Sequence, residues 1–193
     1  MSEPAPWKLL RTRIERDFRI FTARTLDVAD PRNGTEYVRT VLTCPDWVNV
    51  IALTTDQRLI LVRQFRFGTW SNTLEIPGGM VDAHETDPRR AALRELEEET
   101  GFVPQTMELL GVSHPNPALQ TNRLYSFVAR NCESVHRGKP DHSEDIEVVV
   151  VPVEEVPALV RQGTVTHALV LAAFLFDLLG AQPVLRLPGP TSA

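Results

Sequence analysis

The chain has 193 residues, 42% of them apolar and 23% charged. That length and balance suit one globular domain and exclude a collagen-like or globally disordered chain. Twenty Lys and Arg against 25 Asp and Glu leave a net charge of −5. A generic binder of phosphate backbones is normally basic, so no nucleic-acid partner is expected.

Cys44 and Cys132 stand far apart and form no CxxC pair, so a disulfide framework and a structural zinc site are not expected and a reducing compartment is. Met1 to Leu10 carries a single Lys and a broken apolar pattern, unlike a signal peptide. The longest apolar stretch, Ala168–Gly180, is interrupted by Asp177 and falls short of the roughly 20 residues that span a bilayer. The expectation is a cytoplasmic protein without a membrane partner.

In chain order, residues 17–26 and 35–43 are rich in β-branched and aromatic side chains and flank the turn cluster Asp30-Pro31-Arg32-Asn33-Gly34. They read as an N-terminal hairpin. Val48–Thr54 and Arg58–Gln64 read as two further strands joined by Thr55-Asp56-Gln57. A loop from Phe67 to Thr73 leads to Leu74-Glu75-Ile76-Pro77-Gly78-Gly79. A helix follows, with Asp87 as N-cap, Pro88 at its first position and Gly101 ending it. Arg123–Arg130 and Ile146–Val153 read as strands, the second so rich in valine that a central position in a sheet is expected. Glu154–Gln162 and His167–Leu179 read as helices, the latter apolar on most faces and so expected to be buried. The order predicts an α+β protein, a mixed α/β/α sandwich. Residues 1–45 form an N-terminal β extension, 46–180 the main domain and 181–193 a loose tail.

The most informative stretch is Arg94-Glu95-Leu96-Glu97-Glu98-Glu99-Thr100-Gly101. Glu95, Glu98 and Glu99 are spaced i, i+3 and i+4, which turns three carboxylates to one helix face, where they repel. They also lie in the last turns, where the helix dipole disfavours negative charge. One reading is a solvated acidic face balanced by Arg89, Arg90 and Arg94. The other is a bound cation, which would remove both penalties. Oxygen-only donors select a hard ion, Mg²⁺ or Mn²⁺, of the kind that meets substrate phosphates. The charge excess is local: residues 75–99 hold eight acids and three bases, and elsewhere acids and bases balance.

Gly78-Gly79 lets the backbone turn tightly and approach a ligand, and Glu85 lies between that loop and the helix cap. Gly79-x5-Glu85-x8-Arg94-Glu95-Leu96-x-Glu98-Glu99-x-Gly101-Phe102 closely resembles the signature of the Nudix hydrolases. The family pattern has seven residues between its first Glu and the Arg, whereas this chain has eight, with Thr86 or Asp87 the extra residue. His84 replaces the usual Gly before the first Glu. The resemblance implies a Nudix fold with an N-terminal β-hairpin extension. It implies hydrolysis of a nucleoside diphosphate linked to another group, by water attacking a phosphorus of the diphosphate. Glu98 and Glu99 would be the core metal ligands, with Glu95 joining them directly or through water and the Gly79 carbonyl as a further ligand. Glu85 would stand behind them, orienting Arg94 or a ligating water.

Leu61-Val62-Arg63-Gln64-Phe65-Arg66-Phe67-Gly68 before Leu74-Glu75-Ile76-Pro77-Gly78-Gly79, and Pro117 sixteen residues beyond Gly101, are similar to the ADP-ribose and nucleotide-sugar pyrophosphatase branch. That likeness implies a small nucleotide substrate, ADP-ribose or a nucleotide sugar, yielding a nucleoside monophosphate and a sugar phosphate. It also implies a homodimer formed through the N-terminal extension. Arg63 and Arg66 are candidates for phosphate or ribose contacts, since guanidinium forks suit pyrophosphate, although surface ion pairs are the plain alternative. Pro117 is a candidate substrate neighbour or an ordinary loop proline. Trp7, Phe18 and Trp47 are either base-stacking or packing residues. Glu144 is the first candidate for a catalytic base and Glu147 the second. The histidines fall in no metal-binding spacing. Hydrolysis of triphosphates or dinucleotide polyphosphates remains open, as does a non-catalytic nucleotide-sensing module. Sensors usually lack box carboxylates, whereas all four are present here.

Overall fold

The computed structural model describes residues 3–139 and 145–185, in two compact units. Residues 1–45 and 114–123 form the smaller unit and residues 46–113 and 124–193 the larger.

The smaller unit is a three-stranded antiparallel sheet of β1 (Lys8–Asp17), β2 (Thr22–Ala29) and β3 (Glu36–Thr43), in that order. The hairpin expected over 17–26 and 35–43 is therefore one strand short. The first of those segments is broken at 18–21, where Arg19 adopts φ 68°, its N–H donates to the Asp17 carboxylate at 2.8 Å, and the Ile20 N–H donates to Phe18 O. The start of β1 lies at Lys8, ahead of the segments expected to form the hairpin. The turn cluster is where it was placed: the buried Asp30 carboxylate accepts from the Arg32 N–H and guanidinium, and Gly34 takes φ 73°.

The larger unit is built on an eight-stranded mixed sheet, whose main path runs β11-β5-β4-β10-β8. Its strands are β4 (Trp47–Thr54), β5 (Arg58–Arg66), β6 (Ser71–Glu75), β7 (Gly78–Met80), β8 (Phe102–Val103), β9 (Thr106–Ser113), β10 (Leu124–Ser134) and β11 (Ile146–Pro152). β10 runs parallel to β4, and β9 lies antiparallel to β10. Among the described residues the unit's α-helices are α1 (Pro88–Thr100), α2 (Val156–Arg161) and α3 (Ala168–Leu179). Side chains alternate across a strand, and the two cores follow that period. Val48, Val50, Ala52 and Ile60 pack with Ala91, Ala92 and Leu96 of α1. Ile51, Leu53, Leu59 and Leu61 pack with Val156 of α2 and Val170, Ala173 and Phe174 of α3. This is the expected α/β/α sandwich.

Two expectations need correction. The valine-rich β11 is an edge strand, paired among the described residues with β5 alone. Its valines reflect helices on both faces rather than a central position: Val148 and Val150 lie against the α1 layer, Val149 and Val151 against the α2–α3 layer. α3 is buried on one side only, with Leu175 and Leu179 exposed. Residues 186–193, most of the expected tail, lie outside the described residues. Among the described residues no helix is long and apolar enough to cross a membrane.

Candidate active site

α1 begins and ends as its sequence dictates. The Asp87 carboxylate caps the Arg89 N–H, Pro88 occupies the first turn, and Gly101 takes the left-handed conformation with its N–H on Glu97 O. The C-terminal carbonyls, which a helix leaves unpaired, find partners here. The Gly101 N–H donates to Glu97 O and the Lys139 N–H donates to Glu98 O at 2.7 Å, while Thr100 Oγ1 donates to Leu96 O just inside the end. Gly138 lies so close to this end that an added Cβ would sit 2.6 Å from Glu99 O.

β7 brings the glycine loop to the acidic face. It pairs antiparallel with β4, Val48 opposite Gly79 and Asn49 opposite Gly78. The Gly78 N–H donates at 3.0 Å to Glu99 Oε2, whose residue is buried at 5% exposure. Gly79 packs directly on Glu95: a Cβ there would lie 2.5 Å from the Glu95 carboxyl carbon. Both glycines thus face the same helix side as the carboxylates.

Arg94 ties the group together. Its Nη1 donates to Glu95 Oε1 at 2.9 Å and to Glu98 Oε2 at 3.1 Å. Its Nε and Nη2 donate to the two oxygens of Glu85 at 3.2 and 3.1 Å, and Nη2 also reaches Met80 O at 3.0 Å. Glu85 accepts in addition from the Asp82 N–H at 2.9 Å. The Arg94 fork holds the Glu85 carboxyl below its ordinary value, desolvation opposing and the Asp82 N–H assisting. Arg94 is in turn fixed in its charged form, chiefly by Glu85. The extra residue of the 81–87 loop does not prevent this fork from closing.

Among the described residues no three His, Cys, Asp or Glu side chains are drawn together as a preformed metal cage. Glu85, Glu95 and Glu98 are gathered on a guanidinium instead, and Glu99 on a backbone N–H. The donors are carboxylate oxygens beside backbone carbonyls, a set that suits a hard divalent ion, and Gly79 leaves the space at Glu95 that a side chain would fill.

The two candidate arginines separate. Arg66 forks onto Glu75, with Nε and Nη2 each 2.9 Å from a carboxylate oxygen. Arg63 pairs instead with Glu147 at 3.0 Å in an exposed ion pair, directly across the β5–β11 register. Adjacent residues on a strand face opposite sides, so the structure does not bring Arg63 and Arg66 together. Glu144 lies outside the described residues, as does His142. Pro117 belongs to the smaller unit. Trp7 is edge-on to Tyr37, and Phe18 packs against Phe21. Trp47 is half-buried at the start of β4. His136 bonds Glu97 beside α1, and His167 caps α3 through Nδ1. Sequence reasoning missed Glu75, whose signal was an Arg and a Glu nine residues apart across a hairpin turn, and Asp82 and the Met80 carbonyl, which carried none.

The chain belongs to the Nudix family: the NUDIX domain matches residues 45–174, and the protein is a Nudix hydrolase. It is similar to an ADP-ribose pyrophosphatase of Bacillus subtilis (strain 168), 29% identical over 154 residues, 77% of this chain and 83% of that protein. It is also similar to a GDP-mannose pyrophosphatase of Enterobacter sp. (strain 638), 29% identical over 129 residues, 62% of this chain and 66% of that protein. A solved structure of an ADP compounds hydrolase shares the fold, with a TM-score of 0.81 at 23% identity, covering 93% of this chain and 96% of that one.

Proposed function

We propose that the chain hydrolyses the diphosphate bond of a nucleoside diphosphate joined to a sugar, of the ADP-ribose or nucleotide-sugar class, releasing a nucleoside monophosphate and a sugar phosphate. The observation that carries this is the convergence of Glu85, Glu95 and Glu98 on Arg94 beside the Gly78–Glu99 contact. The relatives named for ADP-ribose and GDP-mannose support the choice of substrate.

A divalent cation is the general requirement of Nudix hydrolases, and here Mg²⁺ or Mn²⁺ is assigned to Glu95, Glu98 and Glu99 with the Gly79 carbonyl. When bound, it supplies charge neutralisation at the diphosphate oxygens and activates a water. The chain's own residues do the positioning. Arg94 holds Glu95 and Glu98 in one orientation, Glu85 holds Arg94, and Gly78 holds Glu99, so little reorganisation is left for the reaction. Water adds to one phosphorus, the bridging P–O bond breaks, and the leaving phosphate keeps the electron pair. Glu144 is assigned to receive the proton released by the water; Glu147, the second candidate, pairs with Arg63 on the face of the sheet away from α1. Arg66 is assigned to the diphosphate. Two copies are proposed to pair through the N-terminal sheet, whose Leu9, Ile14 and Val38 are exposed, and the cytoplasm is the assigned compartment.

The test is a panel of ADP-ribose, GDP-mannose, UDP-glucose, diadenosine polyphosphates and nucleoside triphosphates, run with Mg²⁺ and with Mn²⁺. The highest kcat/KM is expected on ADP-ribose or a nucleotide sugar, with the monophosphate and sugar phosphate as products. Best turnover on a triphosphate would overturn the substrate assignment, and no turnover on any compound would favour a nucleotide sensor.

A further inference from the structure

Glu75 is as deeply buried as the apolar core, 3% exposed, yet it lies outside the α1 cluster. Its place follows from the β5–β6 register, in which Val62 faces Glu75, Gln64 faces Thr73 and Arg66 faces Ser71. Side chains two apart on a strand share a face, so Val62, Gln64 and Arg66 extend the face of Ile60, which packs on α1. Glu75 and Thr73 lie opposite them on the same face. The pair Arg66–Glu75 therefore stands in the α1 layer of the sheet, the layer that carries the acidic cluster, while Arg63 stands on the other.

The carboxylate is closely held. Both its oxygens take the Arg66 fork at 2.9 Å, and Thr73 Oγ1 donates to Oε1 at 2.6 Å. His167 Nε2 lies 3.9 Å from Oε2. Its Nδ1 accepts from the Leu169 N–H at 3.2 Å, which leaves the proton on Nε2, toward Glu75. Burial pushes the Glu75 carboxyl up, but Arg66, Thr73 and His167 outweigh it and leave the group below its ordinary value. The asymmetry is in exposure: the Arg66 side chain is 40% exposed and that of Glu75 only 4%. Burying an ion pair rarely gains stability over apolar packing, so a buried acid beneath a half-exposed arginine calls for another reason.

We propose that Glu75, braced by Thr73 and His167, is a positioning residue that holds the Arg66 guanidinium in a fixed plane to receive the diphosphate of the substrate. Arg66 touches substrate and Glu75 acts through it. The inference rests on the proposed function for the assignment of Arg66 to the diphosphate. It adds the reason why Arg66 rather than Arg63 serves: only Arg66 is anchored from below, and a preformed guanidinium forfeits less rotamer freedom on binding.

The test is a double-mutant cycle of Glu75→Gln, Arg66→Lys and the double variant, with kcat, KM and thermal unfolding measured for each. It uses whichever compound of the panel above the wild type turns over fastest, since every one contains a diphosphate. Glu75→Gln is expected to raise KM about tenfold, equivalent to about 1.4 kcal/mol, with kcat within about threefold. The double variant is expected to be no worse than Arg66→Lys alone. An unchanged KM in Glu75→Gln, additive losses in the double variant, or a fall in kcat and Tm with KM unmoved would each overturn it. Should Glu75→Gln fail to fold, Thr73→Val keeps the carboxylate and removes one brace. A threefold rise in KM is expected there, and none would overturn the proposal. A best substrate other than ADP-ribose or a nucleotide sugar would count against the proposed function and leave this cycle to be read as stated.

Discussion

Arg94 donates to both oxygens of Glu85, from Nε at 3.2 Å and from Nη2 at 3.1 Å, across the 81–87 loop. The loop is one residue longer than the family pattern, yet the fork closes, because Asp82 turns its N–H onto Glu85 and Asp87 starts the helix independently. The guanidinium then spends its other nitrogen on Glu95 and Glu98.

Lysine at position 94 keeps the positive charge but cannot span Glu85 and the two helix carboxylates at once. Arg94→Lys is expected to lower kcat/KM by about 100-fold, the scale of loss when a reacting group shifts by about an ångström. Mn²⁺ titration followed by electron paramagnetic resonance should show weakened binding in the same variant. Activity within threefold of wild type would contradict the role given to the fork.

The two neighbouring glycines should fail in different ways. A Cβ on Gly78 would meet backbone, Val48 O at 2.3 Å and the Asn49 Cα at 2.8 Å. A Cβ on Gly79 would meet only the movable end of Glu95. Gly78→Ala is therefore expected to lower Tm, whereas Gly79→Ala should keep Tm and lose cation affinity and turnover as Glu95 is displaced. Gly68→Ala, where nothing lies within 4 Å, is the neutral control. Calorimetry together with Mn²⁺ titration distinguishes the three, and equal Tm losses at 78 and 79 would refute the distinction.

Glu85 also makes stability depend on acidity. Its folded carboxyl is held below the ordinary value of 4.5, chiefly by Arg94. The unfolded chain thus binds the proton more readily, and stability rises with pH through that interval. The contribution is complete above 4.5 and is lost as pH falls through the lowered folded value. Wild type should exceed Glu85→Gln in Tm at neutral pH, and the gap should close in acid. A gap constant with pH would show that Glu85 contributes shape and not charge.

The acidic cluster was legible in the sequence because its physics is local: helical spacing puts Glu95, Glu98 and Glu99 on one face, and i+4 geometry brings Arg94 to Glu98. The caps Asp87 and Gly101 were legible for the same reason. Tertiary register was not. Only the β5–β6 and β5–β11 registers show that Arg66 meets Glu75 while Arg63 meets Glu147, since residues an odd number apart on a strand face opposite sides. The valine run of β11 was misread because burial on two faces leaves the same pattern in an edge strand flanked by helices as in a central one. The two-residue β8 is too short to stand out, β9 carries too few β-branched residues to do so, and the break at Arg19 rests on a left-handed backbone that the sequence does not announce.

The central claim is that the α1 carboxylates hold the cation that hydrolysis needs. Glu98 is half-exposed and Glu99 accepts the Gly78 N–H, so glutamine at either position keeps the side chain's shape and an acceptor oxygen while removing charge. The direct measurement is kcat with Mg²⁺ for Glu98→Gln and Glu99→Gln, alongside circular dichroism and Tm. A fall of about 100-fold or more in each, with the fold intact, is the predicted result. Near-normal turnover in both variants would contradict the account.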